Sequence, residues 1–371
     1  MTHTARGPLA HLHDALADLE RSGLRRHRPA PLSDGAASFC SNDYLGLAGR
    51  PAPPAAAGSG ASRLLAGQRA AHDALEEDFA AWLDVEACLA FTSGYAANVG
   101  AVSALAAAGD LIVSDALNHA SLIDGARLSR ARVVVTPHND LDAVDAALAD
   151  RADGRAWVVV ESYYSMDADG PDLRALRAVC DRHAALLYVD EAHALGVMGP
   201  EGRGRCAEAG VRADVLVGTL GKAFGSQGAF VAGPHVLKEW LWNRARSFVF
   251  STGLAPASAE AARLALGEVR RAPELRERVA ARAEELRRGL RDLGLRPMGF
   301  GHVVPILVGP SERAVALSSA LAKRGLLVPP VRPPTVPEGT ARLRFTVTAR
   351  HDAGDVRRAL HALEGALADV G

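Results

Sequence analysis

The segment GTLGKAFG, residues 218–225, sets one lysine among glycines straight after the mostly apolar run 213–217. The chain holds 42 Lys+Arg but only three lysines, Lys222, Lys238 and Lys323, so arginine serves almost everywhere that positive charge alone suffices. Lys222 stands where lysine chemistry itself is needed. An arginine stays protonated, whereas a desolvated lysine amine loses its proton and attacks a carbonyl. One strand–helix unit earlier, ALLYVD ends on Asp190, and DEAH at 190–193 puts a carboxylate and an imidazole, His193, three residues apart. That place is the C-terminal edge of a strand, where α/β sheets bind ligands. Taken alone, the pair is most often an ordinary cap. A phosphate-loop reading of the glycines fails on spacing, because Leu216 stands at the required first glycine and Ala223 follows the lysine.

A carboxylate, a histidine and a lone lysine on adjacent strand ends are what a pyridine aldehyde cofactor requires. The lysine binds the aldehyde, and the carboxylate keeps the ring nitrogen protonated so that the ring accepts electrons. An ion pair at ~4 Å and effective dielectric ~20 gains ~4 kcal/mol, enough to hold a pyridinium charged, where a neutral hydrogen bond of ~1 kcal/mol is not. FTSGYAAN at 91–98 supplies a phosphate seat, with Gly94 and Tyr95 opening a helix whose free amides face an anion and the Thr219 hydroxyl helping. His119, in SDALNHASL, follows another strand end and is a candidate for stacking on a flat ring. Ser165, in ESYYSMDADG, lies after a further strand end, where a lone serine is more often a turn residue.

The elements that position these residues form a repeating pattern. CLAF, DLIVSD, ARVVVT, AWVVVE, ALLYVD, ADVLVG and GAFVAG alternate with helical periodicities such as Leu141, Val144 and Leu148 behind Asp140 as N-cap. This predicts an α/β fold with a mainly parallel, doubly covered sheet of seven strands. After SFVFSTGLAP, read as a strand and its exit, the pattern becomes one long helical stretch from about 255 to 295, then three strand runs and two more helices. The expected division is an N-terminal segment 1–40, a large domain 41–255 and a smaller α+β domain 256–371 hinged on the long helix. A length of 371 residues with 49% hydrophobic composition fits two domains. A formal net charge of -1 with no basic block gives no support for nucleic-acid or membrane-surface binding. The first twenty residues have no apolar core of a signal peptide, which implies a cytoplasmic address. Cys40, Cys88, Cys180 and Cys206 are far apart, arguing for buried thiols and no metal site.

SNDYLGL, TSGYAAN, NHASL, YSMDADG, VDEAHALGVMGPEGRGR and GTLGKAFGSQGAFVAG follow one another in an order that resembles the α-oxoamine synthases. These are fold-type I, aspartate aminotransferase-like enzymes that depend on pyridoxal 5'-phosphate. The resemblance implies that Lys222 is the Schiff-base lysine, Asp190 the partner of the ring nitrogen, His119 the residue stacked on the ring, and Ser165 and His193 contacts of the ring hydroxyl. It implies phosphate contacts from Gly94, Tyr95 and Thr219, and from Ser251 and Thr252 of the neighbouring subunit in a homodimer with shared sites. Arg344 matches the grip on the amino-acid carboxylate, and Arg25, Asn42 and Thr335 match further substrate contacts, with His119 or His193 as proton donor to the thioester carbonyl. Within the family, RPPTVPEGTARLR at 332–344 resembles the members that condense L-alanine with a pimeloyl group carried on coenzyme A or an acyl carrier protein. Members that join glycine to acetyl- or succinyl-CoA are the nearest alternatives. A non-catalytic sensor on the same fold is a third, against which the joint presence of Lys222, Asp190, His119 and His193 argues. The glycine-rich segment before SRLLAG is shorter than the family's pattern and follows an unusual PAPP.

Overall fold

Runs of β-branched and apolar residues bounded by polar turns become strands. In the computed structural model, which describes residues 9–22, 24–26, 36–51, 53–151 and 154–371, a two-residue strand β1 (Ala37–Ser38) comes first. It is followed by β2 (Ala87–Phe91), β3 (Leu111–Asp115), β4 (Arg132–Thr136), β5 (Ala156–Glu161), β6 (Leu186–Asp190), β7 (Val215–Thr219) and β8 (Ala229–Gly233). Strands β2 to β8 make one sheet in the order β2-β8-β7-β6-β5-β3-β4, parallel except for the two pairings of β8. Alternate side chains feed opposite faces. Val113, Val158 and Leu187 join Phe79, Trp82 and Phe224 in one core, while Ile112, Val159 and Tyr188 join Phe91 and Phe248 in the other. Only the edge strand β4 leaves most of its residues exposed.

A third core surrounds β9 (Val303–Gly309), β11 (Pro330–Val331) and β12 (Ala341–Thr346), an antiparallel sheet, and β10 (Leu326–Leu327) pairs with β1. Phe39 lies in this third core and its carbonyl accepts the Thr346 N–H at 2.7 Å, so the start of the chain is tied to its end. The helix Pro256–Arg271 packs into the first core through Ala259, Ala262, Leu266 and Val269.

The structure departs from the sequence expectations at four places. The single helical stretch is two helices, Pro256–Arg271 and Pro273–Asp292, because Pro273 has no N–H to continue the first ladder and suits the start of the second. SFVF is no strand: Arg246–Val249 is a helical turn that drops Phe248 against Phe91 and Trp242, so packing overrides β propensity. GLLVPPV splits into β10 and β11 at its prolines. Cys40 is exposed, while Cys88, Cys180 and Cys206 are buried.

Candidate active site

Sheet order puts the ends of β7, β6, β5 and β3 side by side, and each strand end or the loop after it delivers a polar residue to one place. Asp190 closes β6; its carboxylate accepts an N–H from Asn98 at 2.7 Å and the backbone N–H of Ala192 at 2.8 Å. Asn98, on the helix Gly94–Leu105, is itself fixed: its carbonyl oxygen accepts from the Tyr188 hydroxyl at 2.8 Å and its amide donates to Ser121 at 2.9 Å. The carboxylate therefore cannot swing away from the cavity. Beside it, in register, Glu161 closes β5 and accepts the backbone N–H of His119 at 2.7 Å. Burial, reinforced by the neighbouring Asp190 charge, pushes the Glu161 carboxyl up to about 8.

Lys222 follows β7, with Nζ 2.7 Å from Nε2 of His193. Burial pulls its amine down to about 8, Asp190 and Glu161 opposing and Arg344 pulling the same way. Burial and then the Lys222 charge hold His193 well below its ordinary range, so the ring is neutral. Its other nitrogen, Nδ1, lies 2.6 Å from the hydroxyl of Tyr44 in SNDYLGL. Gly225 closes the lysine turn at φ +58°, where an added Cβ would stand 2.3 Å from the backbone nitrogen of Ala48. Only glycine lets the lysine loop lie this close to the segment that carries Tyr44.

His119 caps the helix Ala120–Ser129, its Nδ1 accepting the Ser121 N–H at 3.2 Å, and burial lowers its pKa. Ser93 caps the helix that begins at Gly94, accepting the Ala96 N–H, and first-turn amides of such a helix have no carbonyl partner inside it. The Thr219 hydroxyl is held by Gly228 O and Gly221 N–H at 3.1 and 3.2 Å. Gly94, Tyr95, His119, Asp190, His193, Thr219 and Lys222 line one cavity of about 190 Å³ together with Asn98, Ser121 and Glu161. The donor set suits a phosphorylated pyridine aldehyde: a near-neutral amine, a fixed carboxylate for the ring nitrogen, and a helix start for the phosphate.

The remaining residues named from the sequence lie elsewhere. Arg344, buried, donates to the carbonyl of Ser165 at 2.7 Å, to Thr346 at 3.0 Å and to Asn42 at 3.2 Å. Asn42 also meets the Tyr44 hydroxyl at 3.3 Å, so this group adjoins the cavity through His193. Thr335 is exposed in a turn on Arg332, whose side chain donates to the carbonyl of Arg25, and neither Thr335 nor Arg25 lines the lysine cavity. Ser251 and Thr252 line a separate small cavity with Arg63 and Phe248. Sequence reasoning missed Asn98, Glu161 and Tyr44, although all three sit inside quoted motifs. Their partners are remote in the chain, and no spacing rule reveals them.

Comparison with known proteins agrees with this geometry. The sequence profile described as "Aminotransferase class I and II" matches residues 36–363. An 8-amino-7-oxononanoate synthase of Paracidovorax citrulli is 45% identical, with 94% of this chain and 92% of that protein covered. Among solved structures, Sphingomonas wittichii serine palmitoyltransferase superposes with a TM-score of 0.91 at 29% identity over 99% of both chains. A serine palmitoyltransferase variant determined with PLP gives 0.90 at 29% identity over 98% of both. The 8-amino-7-oxononanoate synthase of Francisella tularensis gives 0.78 at 25% identity over 91% of this chain and 99% of that one. With the profile spanning most of the sequence and the lysine, carboxylate and helix start assembled at the sheet edge, the chain belongs to the class I and II aminotransferase family.

Proposed function

We propose that the chain condenses L-alanine with a pimeloyl thioester, on coenzyme A or an acyl carrier protein, to give 8-amino-7-oxononanoate, carbon dioxide and the free carrier thiol. It is a pyridoxal-phosphate-dependent acyltransferase of biotin biosynthesis. The observation that carries the reading is the contact of the Lys222 amine with His193 at 2.7 Å, in a cavity whose other wall is Asp190.

When bound, pyridoxal phosphate supplies the electron-withdrawing ring that stabilises negative charge at the amino-acid α-carbon. Lys222 would hold the aldehyde in the resting protein and, once released by the incoming amine, would take the α-proton on Nζ. A neutral amine is the form required, and a titration near 8, well below that of a free lysine, leaves a usable fraction of it at neutral pH. Asp190, held by Asn98 and the Ala192 N–H, would pair with the ring nitrogen. His119, fixed through its backbone by Glu161, would lie against the ring. Gly94, Tyr95 and Thr219 would seat the phosphate, and His193, with Ser165 from the adjoining Arg344 group, would meet the ring hydroxyl. Arg344, fixed among the described residues by Ser165, Thr346 and Asn42, would grip the alanine carboxylate with the remainder of its guanidinium fork. Asn42, Arg25 and Thr335 complete the substrate contacts. His119 or His193 would supply a proton to the thioester carbonyl oxygen as the α-carbon adds to the carbonyl carbon, and that proton would pass to the carrier sulfur as the C–S bond breaks and the carbonyl re-forms.

The working unit is a homodimer in which Ser251 and Thr252 serve the phosphate of the opposite subunit. That reading accounts for their lying away from the lysine of their own chain. Release of labelled carbon dioxide from carboxyl-labelled alanine, glycine and serine, each paired with acetyl-, succinyl-, palmitoyl- and pimeloyl-CoA and pimeloyl acyl carrier protein, tests the substrates. Alanine with a pimeloyl donor is the expected best pair. Glycine with a short acyl donor as the best pair would replace this reading by one of its sister activities.

A further inference from the structure

We propose that Tyr44 is a positioning residue that fixes the tautomer of His193, so that the imidazole always turns an N–H toward the amine of Lys222. The inference rests on the reading of Lys222 as the reactive amine and adds a device that favours the uncharged form of that amine. A neutral imidazole carries one proton, so one nitrogen donates and the other accepts. His193 makes two side-chain contacts among the described residues, Tyr44 at Nδ1 and Lys222 at Nε2. The proton must be assigned to one of them.

Bond length makes the assignment. The Tyr44–Nδ1 separation of 2.6 Å is that of a hydroxyl donor, since ring N–H donors to oxygen sit near ~2.9 Å. The competing acceptor, Asn42 Oδ1, is farther, at 3.3 Å, and already receives an Arg344 N–H. Burial pushes the Tyr44 hydroxyl up to about 12, so it keeps the proton it donates. Nδ1 is then the acceptor and Nε2 carries the hydrogen. That hydrogen points at Nζ, where only an uncharged amine offers a lone pair. The opposite tautomer would accept from an ammonium and favour the charged lysine.

The tyrosine is well placed for this work. It is fully buried, its carbonyl accepts the Ala349 N–H at 2.8 Å, and the His302 ring stands edge-on against it at 4.1 Å. His302, held down to about 3 by burial and then Arg344 and Lys222, is neutral and contributes no charge. The other groups acting on Lys222 are Asp190, Glu161 and Arg344, with His119 across the cavity; Arg344 also acts on the Tyr44 hydroxyl, so the effect of Tyr44→Phe must be read with and without His193 to isolate the path through the ring.

The test uses the protein without cofactor. Competitive labelling with acetic anhydride over about pH 6–11, read by peptide mass spectrometry, titrates each lysine, and Lys238 and Lys323 are the internal references. Lys222 should label with a midpoint near 8 in the wild type. In Tyr44→Phe the midpoint should rise by about one pH unit, the worth of one hydrogen bond, with the references unmoved. In a His193→Gln background the same tyrosine change should add no further shift. An unmoved midpoint, or an equal shift with and without His193, overturns the proposal. Should Tyr44→Phe fail to fold, ring-nitrogen NMR of histidine-labelled wild-type protein decides alone. His193, assigned by its loss in His193→Gln, must show a protonated Nε2 and an unprotonated Nδ1, and the reverse refutes the assignment. Neither readout involves substrate, so failure of the alanine–pimeloyl assay would leave this result standing, and the converse.

Discussion

A lysine amine that titrates near 8 is a usable nucleophile at neutral pH, and the residues around Lys222 divide the labour of making it so. Burial lowers it, Arg344 lowers it further, and Asp190 and Glu161 limit the fall. Lys222→Ala should bind pyridoxal phosphate without developing the visible absorption of the lysine-linked cofactor, and it should lack borohydride-trappable cofactor. Wild-type absorption in that variant would remove Lys222 from its role. Asp190→Asn keeps the shape of the side chain and loses its charge. The charge was assigned ~4 kcal/mol of stabilisation of the protonated ring, so turnover and α-proton exchange of alanine should fall by about a thousandfold with the fold intact. Near-normal exchange would show that the ring nitrogen does not depend on Asp190.

Among the elements, the β4 edge shows how a tie between loops sets a pH response. After β4, His138 bridges Asp115 at the end of β3 and Asp169, at 2.9 and 3.1 Å. Burial works against the imidazolium, but hydrogen bonds to the two carboxylates outweigh it and lift His138 to about 10. The folded protein thus holds a proton that the unfolded chain releases above its ordinary ~6.5. The stabilisation is fully present below ~6.5 and drains away as pH rises toward 10. His138→Gln should therefore be less stable than wild type in denaturant at pH ~6, with the gap closing by pH ~10. A gap independent of pH would mean that the tie works by packing alone. Gly225→Ala probes the second joint, between the lysine loop and residues 47–48. Left-handed strain and the backbone contact at 2.3 Å should destabilise the protein by about 2 kcal/mol or more and lower its melting temperature.

The whole molecule enters through Ser251 and Thr252, which one chain leaves in a cavity apart from its own Lys222. If they serve the opposite subunit, Lys222→Ala and the double variant Ser251→Ala with Thr252→Ala are each inactive at limiting cofactor. A mixed dimer then has one site with both defects and one with neither. Mixing after reversible dissociation should restore up to about half of wild-type activity per mixed dimer. Complete exchange of subunits without recovery would assign each phosphate contact to its own chain. No described helix is long and apolar enough to cross a membrane.

By itself the sequence determined the alternation of strand and helix, because burial on both faces demands near-continuous apolar runs and solvent-facing helices demand a 3.6-residue period. It also marked Lys222, Asp190, His119 and His193, since strand ends in such a sheet are where polar residues become functional. It misread what neighbours decide. SFVF has the composition of a strand, yet contacts with Phe91 and Trp242 favour a helical turn, and the break at Pro273 was hidden in a long helical composition. Only the tertiary structure could put Tyr44 on His193, 149 positions away, or Asn98 on Asp190 and Glu161 under His119. Local pattern records which face of an element is buried. A hydrogen bond between segments depends on strand order and register, which arise from packing all the elements at once.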